Sequence, residues 1–248
     1  MRIALIGYGN MGRTIKQVAM ERGHEITAII DPNAKEATAK EISAKAVENA
    51  DACIDFSQPD AALENIRKLS ELKKNIVMGT TGWYNNTEEA KRLVEKAGTA
   101  LIFASNFSLG VNLFYRIIGN SSELFNNFPE YDVFGLEFHH TKKKDSPSGT
   151  AKSIAKIIVD KIKRKTRIAF DRMDRQIFAD ELHFASVRGG NIPGTHSVFF
   201  DSGSDTIELT HTARNREGFA LGAVKAGEWI KEKKGFFTIE DMMKEMIK

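Results

Sequence analysis

One cysteine in 248 residues excludes an internal disulfide and suits a reducing compartment. That residue, Cys53, lies in the apolar run Ala52-Cys53-Ile54, the setting of a small core side chain and not of a nucleophile. Long apolar runs are missing as well: none approaches the roughly 20 residues that span a bilayer. Met1-Arg2-Ile3 leads straight into a strand pattern, so no signal peptide is expected. Positive and negative residues nearly balance, 36 against 33. A net +3 is too mild to argue for nucleic acid, and no alternation of aromatic and basic residues offers a stacking platform. Repeats, low-complexity tracts and obvious linkers are absent. The expectation is a cytoplasmic protein with no nucleic-acid and no membrane partner, long enough to bury one large core or two small ones.

What is present in residues 1–107 is alternation of strand and helix. Arg2-Ile3-Ala4-Leu5-Ile6 is a continuous apolar strand of the kind buried on both faces of a parallel sheet. It runs into Gly7-Tyr8-Gly9-Asn10-Met11-Gly12 and then a helix with Met11, Ile15, Val18 and Ala19 on one face. A second strand over 25–30 ends in Asp31, nineteen residues past Gly12. A lone G-x-G-x-x-G says little. With a strand before it, a helix after it and an acid at this distance it predicts a dinucleotide site. Gly7 serves the tight turn, Gly9 lets backbone approach a pyrophosphate, Gly12 lets helix and strand pack closely, and Asp31 accepts from ribose hydroxyls. Later strands end in Gly79-Thr80-Thr81-Gly82 and in Ala104-Ser105-Asn106-Phe107, and such carboxyl-end turns line the ligand crevice of parallel sheets. The fold expected here is α/β, a doubly wound parallel sheet of Rossmann type.

From Val111 the character changes. A long helix with Leu113, Phe114, Ile117 and Ile118 leads to a strand over 131–138, and strand-like runs follow at 182–187, 196–200 and 206–212. Ser202-Gly203-Ser204-Asp205 makes a hairpin turn between the last two. This describes a second, α+β domain with an open mixed sheet, whose bare face self-association would cover. Residues 218–231 read as a helix, followed by Phe236-Phe237-Thr238-Ile239 and a short helix.

Between these strands lies Glu137-Phe138-His139-His140-Thr141-Lys142-Lys143-Lys144-Asp145-Ser146-Pro147-Ser148-Gly149-Thr150-Ala151. Ile154, Ile157, Ile158 and Ile162 recur at helical spacing, so Ser148-Gly149-Thr150 opens a helix whose first N–H groups attract anions. A run of lysines alone is usually a solvated loop. Two adjacent histidines and a Pro-Ser-Gly-Thr turn make it a site for a small molecule bearing carboxylates or phosphates. Metal binding is not expected, because neighbouring histidines chelate one ion poorly and no Cys or carboxylate stands at ligand spacing. His24, His183, His196 and His211 are expected to be structural.

Glu137 through Ala151 closely resembles the signature Glu-x-His-His-x-x-Lys-x-Asp-x-Pro-Ser-Gly-Thr-Ala of the dihydrodipicolinate reductase family, with every fixed position filled. The resemblance implies reduction of 4-hydroxy-tetrahydrodipicolinate to tetrahydrodipicolinate by a hydride from NAD(P)H, in diaminopimelate and lysine biosynthesis. It implies His139 as proton shuttle, Lys143 as catalytic lysine, and His140 as a substrate contact. Ser148, Gly149 and Thr150 would hold one carboxylate of a dicarboxylate substrate, with Arg216 a weaker candidate. An ammonium among other cations gives up its proton more readily, which suits Lys143 as acid. The family's nicotinamide-side segments correspond to Gly79, Thr80 and Thr81 and to Ala104, Ser105, Asn106 and Phe107. Many members carry arginine after the acid, where this chain has Pro32. A carboxylate repels a 2′-phosphate, so NADH is the expected preference, with NADPH accepted as Arg13 or Lys35 compensates. The resemblance further implies a homotetramer, a nucleotide domain of 1–107 with 217–248, and a substrate-binding and oligomerisation domain of 108–216. Two rivals stand beside it: another two-domain dehydrogenase, which lacks His-His before Pro-Ser-Gly-Thr, and an NADH-sensing regulator, which needs no acid in its second domain.

Overall fold

The computed structural model describes residues 1–170 and 172–247, and they form two compact units. Among the described residues the first comprises 1–109 and 216–247, the second 110–170 and 172–215. The boundary expected after Phe107 falls after Leu109, whose side chain packs on the first core, and Arg216 caps the returning helix instead of closing the second unit.

In the first unit β1 (Arg2–Ile6), α1 (Asn10–Glu21), β2 (Glu25–Ile30), α2 (Ala44–Val47), β3 (Ala52–Asp55), α3 (Pro59–Glu71), β4 (Asn75–Met78), α4 (Thr87–Ala97) and β5 (Ala100–Phe103) follow in order. The second unit carries α5 (Leu109–Phe125, whose first residue still belongs to the first unit), β6 (Asp132–His139), α6 (Gly149–Lys161), β7 (Arg167–Ala169), β8 (Glu181–Arg188), β9 (Thr195–Asp201) and β10 (Thr206–Thr212). The chain then returns with α7 (Glu217–Ile230), β11 (Gly235–Thr238) and α8 (Ile239–Met246).

The first sheet runs β11-β5-β4-β3-β1-β2, and every pair in it is parallel. Strand order reverses between β1 and β3, and the crevice at their carboxyl ends is where such sheets take ligands. Two apolar layers sandwich the sheet, one including α1 and α7 with Ile15, Val18 and Val224, the other α3 and α4 with Ile66, Leu69 and Val94. Apolar residues on both faces of β1, β3 and β4 are therefore required, which is why these strands read as unbroken hydrophobic runs. At the β1 turn Gly7 has φ +83°, and a Cβ there would lie 2.5 Å from the Phe56 carbonyl oxygen, so no larger residue fits.

The second sheet is mixed, ordered β10-β9-β6-β8-β7, with β6 parallel to β8 and antiparallel to β9. The residues of β6 alternate strictly. Val133, Gly135, Glu137 and His139 face the side covered by α5 and α6, where Phe114, Ile118, Ile154 and Ile158 pack on Phe184, Val198 and Phe200. Phe134, Phe199 and Val187 lie on the opposite face, with the Phe134 and Phe199 rings stacked at 4.8 Å and Phe134 and Val187 exposed.

Candidate active site

The glycine-rich turn of the first unit is pinned from two sides. Gly7 N–H donates to the Ile30 carbonyl at 2.9 Å and Tyr8 N–H to Asp31 Oδ2 at 2.7 Å. Gly9 caps α1, no side chain occupies the cap, and a Cβ built at Gly9 meets nothing within 4 Å. An open approach to uncapped helix N–H groups is what a pyrophosphate needs. A cavity of about 580 Å³ lies beside it, lined among others by Gly7, Gly9, Arg13, Asp31, Lys40 and Ser57. Asp31 does more than wait for a ribose: Oδ1 accepts from Asn33 and Ala34 N–H groups, both at 2.8 Å. Burial acts to raise its pKa, but these backbone donors and the one from Tyr8 outweigh burial and hold it below the usual value. Arg13, one of the two cations expected to compensate for Pro32, lies over the Tyr8 ring and is ion-paired with Glu36. Lys40, not singled out in the sequence, lines the same cavity.

Asp55, at the end of β3, is wholly buried. Its Oδ1 accepts from Ser57 Oγ at 2.7 Å and Thr80 Oγ1 at 3.0 Å, and its Oδ2 from Asn65 at 2.8 Å. Burial pushes this carboxyl up in pKa and the donors only partly oppose it. The network ties the turns after β3 and β4 together, and the Phe56 ring fills the place a Cβ on Gly79 would take, 2.1 Å away. Thr80, Ala104 and Phe107 are consequently buried, while Thr81 and Ser105 are exposed. Asn106 Oδ1 accepts from Ser108 N–H at 2.8 Å.

In the second unit the signature forms a loop closed at its base. Ser148 N–H donates to Glu137 Oε1 at 2.9 Å, so the end of β6 and the start of α6 are clasped together around residues 138–147. His139 closes β6 and is only 7% exposed; His140 steps out of the strand, its N–H donating to the Ile192 carbonyl at 2.8 Å. The strand therefore ends between the two histidines. Of the three lysines, Lys142 and Lys144 are exposed and Lys143 is half-buried, with Nζ 2.8 Å from Asp145 Oδ1. The crowd of bare cations expected around Lys143 is thus offset by a carboxylate from its own loop. Lys143 nonetheless lies close enough to His139 for its charge to be felt there.

Ser148 is 2% exposed and committed. Its hydroxyl accepts from Ala151 N–H at 3.1 Å as the α6 cap and lies 3.1 Å from His196 Nε2. The exposed Gly149 and the half-buried Thr150 remain at the helix start, the Thr150 hydroxyl hydrogen-bonded with Tyr115. Arg216 is exposed at the start of α7, in the first unit.

Glu137 and His196 were not singled out as functional in the sequence, yet they are the centre of this region. Glu137 is fully buried and takes donors from Ser148, Ser186 Oγ at 2.7 Å and Arg188 Nη2 at 2.9 Å, all on Oε1. Burial acts to raise its pKa, but donation by His196, Ser148, Ser186 and Arg188 holds it far below the carboxylate range. His139 goes the other way: burial lowers it to about 4, Glu137 opposes, and the charges of His196, Lys143 and Arg188 add to the drop. The expectation that no carboxylate stands at ligand distance from the histidines fails in three dimensions. Ligand atoms of Glu137, His139 and His196 lie within 4.8 Å of one another. The Glu137 charge is already answered by the Arg188 guanidinium, and a dication beside it would meet that like charge.

Residues 1–107 match the family model described as dihydrodipicolinate reductase, N-terminus, and residues 110–243 the one described as dihydrodipicolinate reductase, C-terminus. The chain is 39% identical to a protein of Christiangramia forsetii named 4-hydroxy-tetrahydrodipicolinate reductase, over the whole of both sequences. It is 37% identical to one of the same name from Archaeoglobus fulgidus, over 98% of this chain and all of the relative. Among solved structures, a dipicolinate-bound dihydrodipicolinate reductase from Paenisporosarcina sp. TG-14 superposes with a TM-score of 0.77 at 22% identity, covering 97% of this chain and 98% of that one. An engineered D-amino acid dehydrogenase bound to NADP+ shares the fold at a TM-score of 0.56 and 14% identity, over 96% of this chain and 93% of that one.

Proposed function

The chain belongs to the dihydrodipicolinate reductase family, and from that premise we propose how its own residues divide the reaction. The activity is reduction of 4-hydroxy-tetrahydrodipicolinate to tetrahydrodipicolinate with NAD(P)H. Water leaves the hydroxylated ring, a hydride adds to the resulting conjugated imine, and a proton completes the saturated position. The nicotinamide supplies the hydride when bound. Everything else falls to the protein: binding two anions, and moving one proton.

The nucleotide is held by the turn from Gly7 through Tyr8, Gly9, Asn10 and Met11 to Gly12, with Asp31 toward the ribose. The nicotinamide side is formed by Gly79, Thr80 and Thr81 and by Ala104, Ser105, Asn106 and Phe107. Thr80, Ala104 and Phe107 have buried side chains, so backbone is what they offer a ligand. The dicarboxylate is held by Gly149 and Thr150 at the start of α6 and by His140, with Ser148 setting that helix start and Arg216 a supporting cation. Lys143 and His139 carry the proton. The observation that carries this reading is the clasp between Glu137 and Ser148, which holds His139, His140 and Lys143 in one short loop ending at an anion-binding helix start. His139 is neutral near pH 7 in the free protein, since its pKa is lowered to about 4. A dianionic substrate raises its proton affinity, so His139 becomes a proton carrier once substrate is bound, with Lys143 beside it in the same loop as the acid. Two assays test the whole: NADH oxidation only when a substrate-generating synthase is coupled in, and competitive inhibition by pyridine-2,6-dicarboxylate. Failure of both would remove the assignment.

In this reading NADH is the preferred cofactor and NADPH the lesser one: Asp31 lines the cavity beside the glycine-rich turn, where its carboxylate would repel a 2′-phosphate, and Arg13 is paired with Glu36. Asp31→Ala is expected to weaken NADH binding by about ten- to a hundredfold, the worth of hydrogen bonds to a charged acceptor, and to narrow the gap to NADPH. Fluorescence titration of both cofactors reads this, and an unchanged ratio would place Asp31 away from the ribose.

No helix among the described residues is long and apolar enough to cross a membrane, and the cytoplasm is the proposed setting. The open face of the second sheet, with Phe134, Phe199 and Val187, is the proposed seat of a homotetramer, since stacked and exposed apolar rings are costly in water. Phe134→Glu is expected to yield dimers or monomers by light scattering. A tetramer that persists with this charge in place would move the interface elsewhere.

A further inference from the structure

Glu137 Oε1 is saturated by three donors, but its other oxygen is not. Oε2 lies 3.4 Å from His139 Nδ1 and 3.3 Å from His196 Nε2, and both Oε2 and His139 Nδ1 are buried with no hydrogen-bond partner at normal geometry. A glutamate serving only to clasp the loop would need Oε1 alone. Leaving a buried carboxylate oxygen and a buried ring nitrogen unmatched is costly unless they answer one another, and hydrogen bonds at reaction centres are often long before substrate arrives. The opposite ring nitrogen, His139 Nε2, faces Gly194, where even a Cβ would approach to 3.0 Å. A glycine there leaves that nitrogen uncrowded.

We propose that Glu137 is a positioning residue of the reduction: through Oε2 it holds the His139 ring with the proton on Nδ1, so that Nε2 is the nitrogen that exchanges a proton with the substrate. The inference rests on the reading of His139 as a proton carrier. Period-two alternation places Glu137 and His139 on the same face of β6. From β8, Arg188 answers the carboxylate's charge and Ser186 donates to it; from β9, His196 shares Oε2; from α6, Ser148 donates its N–H. From the loop, Lys143, paired with Asp145, adds its positive charge. When His139 takes a proton from Lys143 or gives one to the ring enamine, Nδ1–H stays in place, and Oε2 is the fixed acceptor that stabilises the transient imidazolium. Serine proteases use a buried carboxylate in the same way to fix a histidine tautomer.

The test is the tautomer itself, read by ¹⁵N NMR of histidine-labelled wild-type protein, with the His139 signals assigned by their loss in His139→Gln. Near pH 7 the expected pattern is protonated Nδ1 and unprotonated Nε2, and the reverse pattern overturns the proposal whether or not Glu137→Gln folds. In Glu137→Gln the amide keeps an oxygen for Ser148, Ser186 and Arg188 while presenting N–H to Nδ1, which reverses the tautomer. The expected result is a fall in kcat of about ten- to a hundredfold with KM for the substrate and NADH affinity nearly unchanged, together with reversed ¹⁵N shifts. A folded Glu137→Gln with wild-type kcat, or one whose kcat falls while the tautomer stays, overturns it. A stoichiometric metal ion in the purified protein would do so too, since an ion on Oε2 and Nδ1 leaves no proton between them. Full turnover in His139→Gln would instead remove the underlying reading of His139.

Discussion

Replacing Lys143 with alanine is expected to cut turnover by about two to four orders of magnitude, the range for removal of a general acid. Substrate binding should suffer less. Gly149, Thr150 and His140 remain to hold the carboxylates, and Lys143 contributes one charge that Asp145 already shares. Asp145 itself is held below the usual carboxylate range, chiefly by the hydrogen bond from Lys143. Losing the lysine therefore leaves an ionised carboxylate unpaired in the loop, which repels a dianionic substrate and raises KM by a secondary amount. Lys143→Arg separates these contributions. It keeps the charge but holds its proton too tightly to transfer it, so it should restore KM and not kcat. Steady-state rates with synthase-generated substrate, followed at the NADH absorbance, read both constants. Near-wild-type turnover in Lys143→Ala would take the acid's role from this residue.

His139→Gln is expected to lower kcat by about two to three orders of magnitude with a smaller change in KM. A defect confined to KM would make His139 an anchor. Its pH behaviour gives a second readout. The folded-state pKa lies at about 4, below the ordinary 6.5, so folding holds the ring neutral and the unfolded chain binds the proton first as pH falls. The stability this contributes is complete above about pH 6.5 and is lost as pH drops toward 4. His211 is shifted in the same direction, so the difference between wild type and variant isolates the share of His139. Urea unfolding at pH 7 and pH 5 should show the wild type losing more stability than His139→Gln. An equal loss would mean that the ring is not buried as a neutral group.

Strand β6 shows how far the sequence could be read. Its alternation puts Glu137 and His139 on one face, and the glutamate heads the very signature that identifies the chain, so their companionship was legible from spacing alone. His196 was not. It stands opposite Glu137 only because β9 pairs antiparallel with β6 in one register, and a contact 59 positions apart leaves no local trace. Ser148 illustrates the same limit from another side. Its place at the head of α6 follows from the sequence, but its commitment to Ala151, His196 and Glu137 needed the sheet beneath it. Strand β7, three residues long, is too short to show a period at all. Likewise the Phe236-Phe237 segment is visibly apolar, while its position beside β5 is a matter of the assembled sheet.

The family, the two kinds of sheet, the glycine-rich turn with its acid and the loop that carries the chemistry can all be read along the chain, because each is written in residues close together. How the charges in that loop are balanced depends on the assembled fold. Lys143 meets Asp145, the donors to Glu137 arrive from β8 and from the head of α6, and burial sets the proton affinity of His139 against that carboxylate. Desolvation and charge pairing depend on which side chains surround a group in space, and that neighbourhood exists only once β6, β8, β9 and α6 have come together.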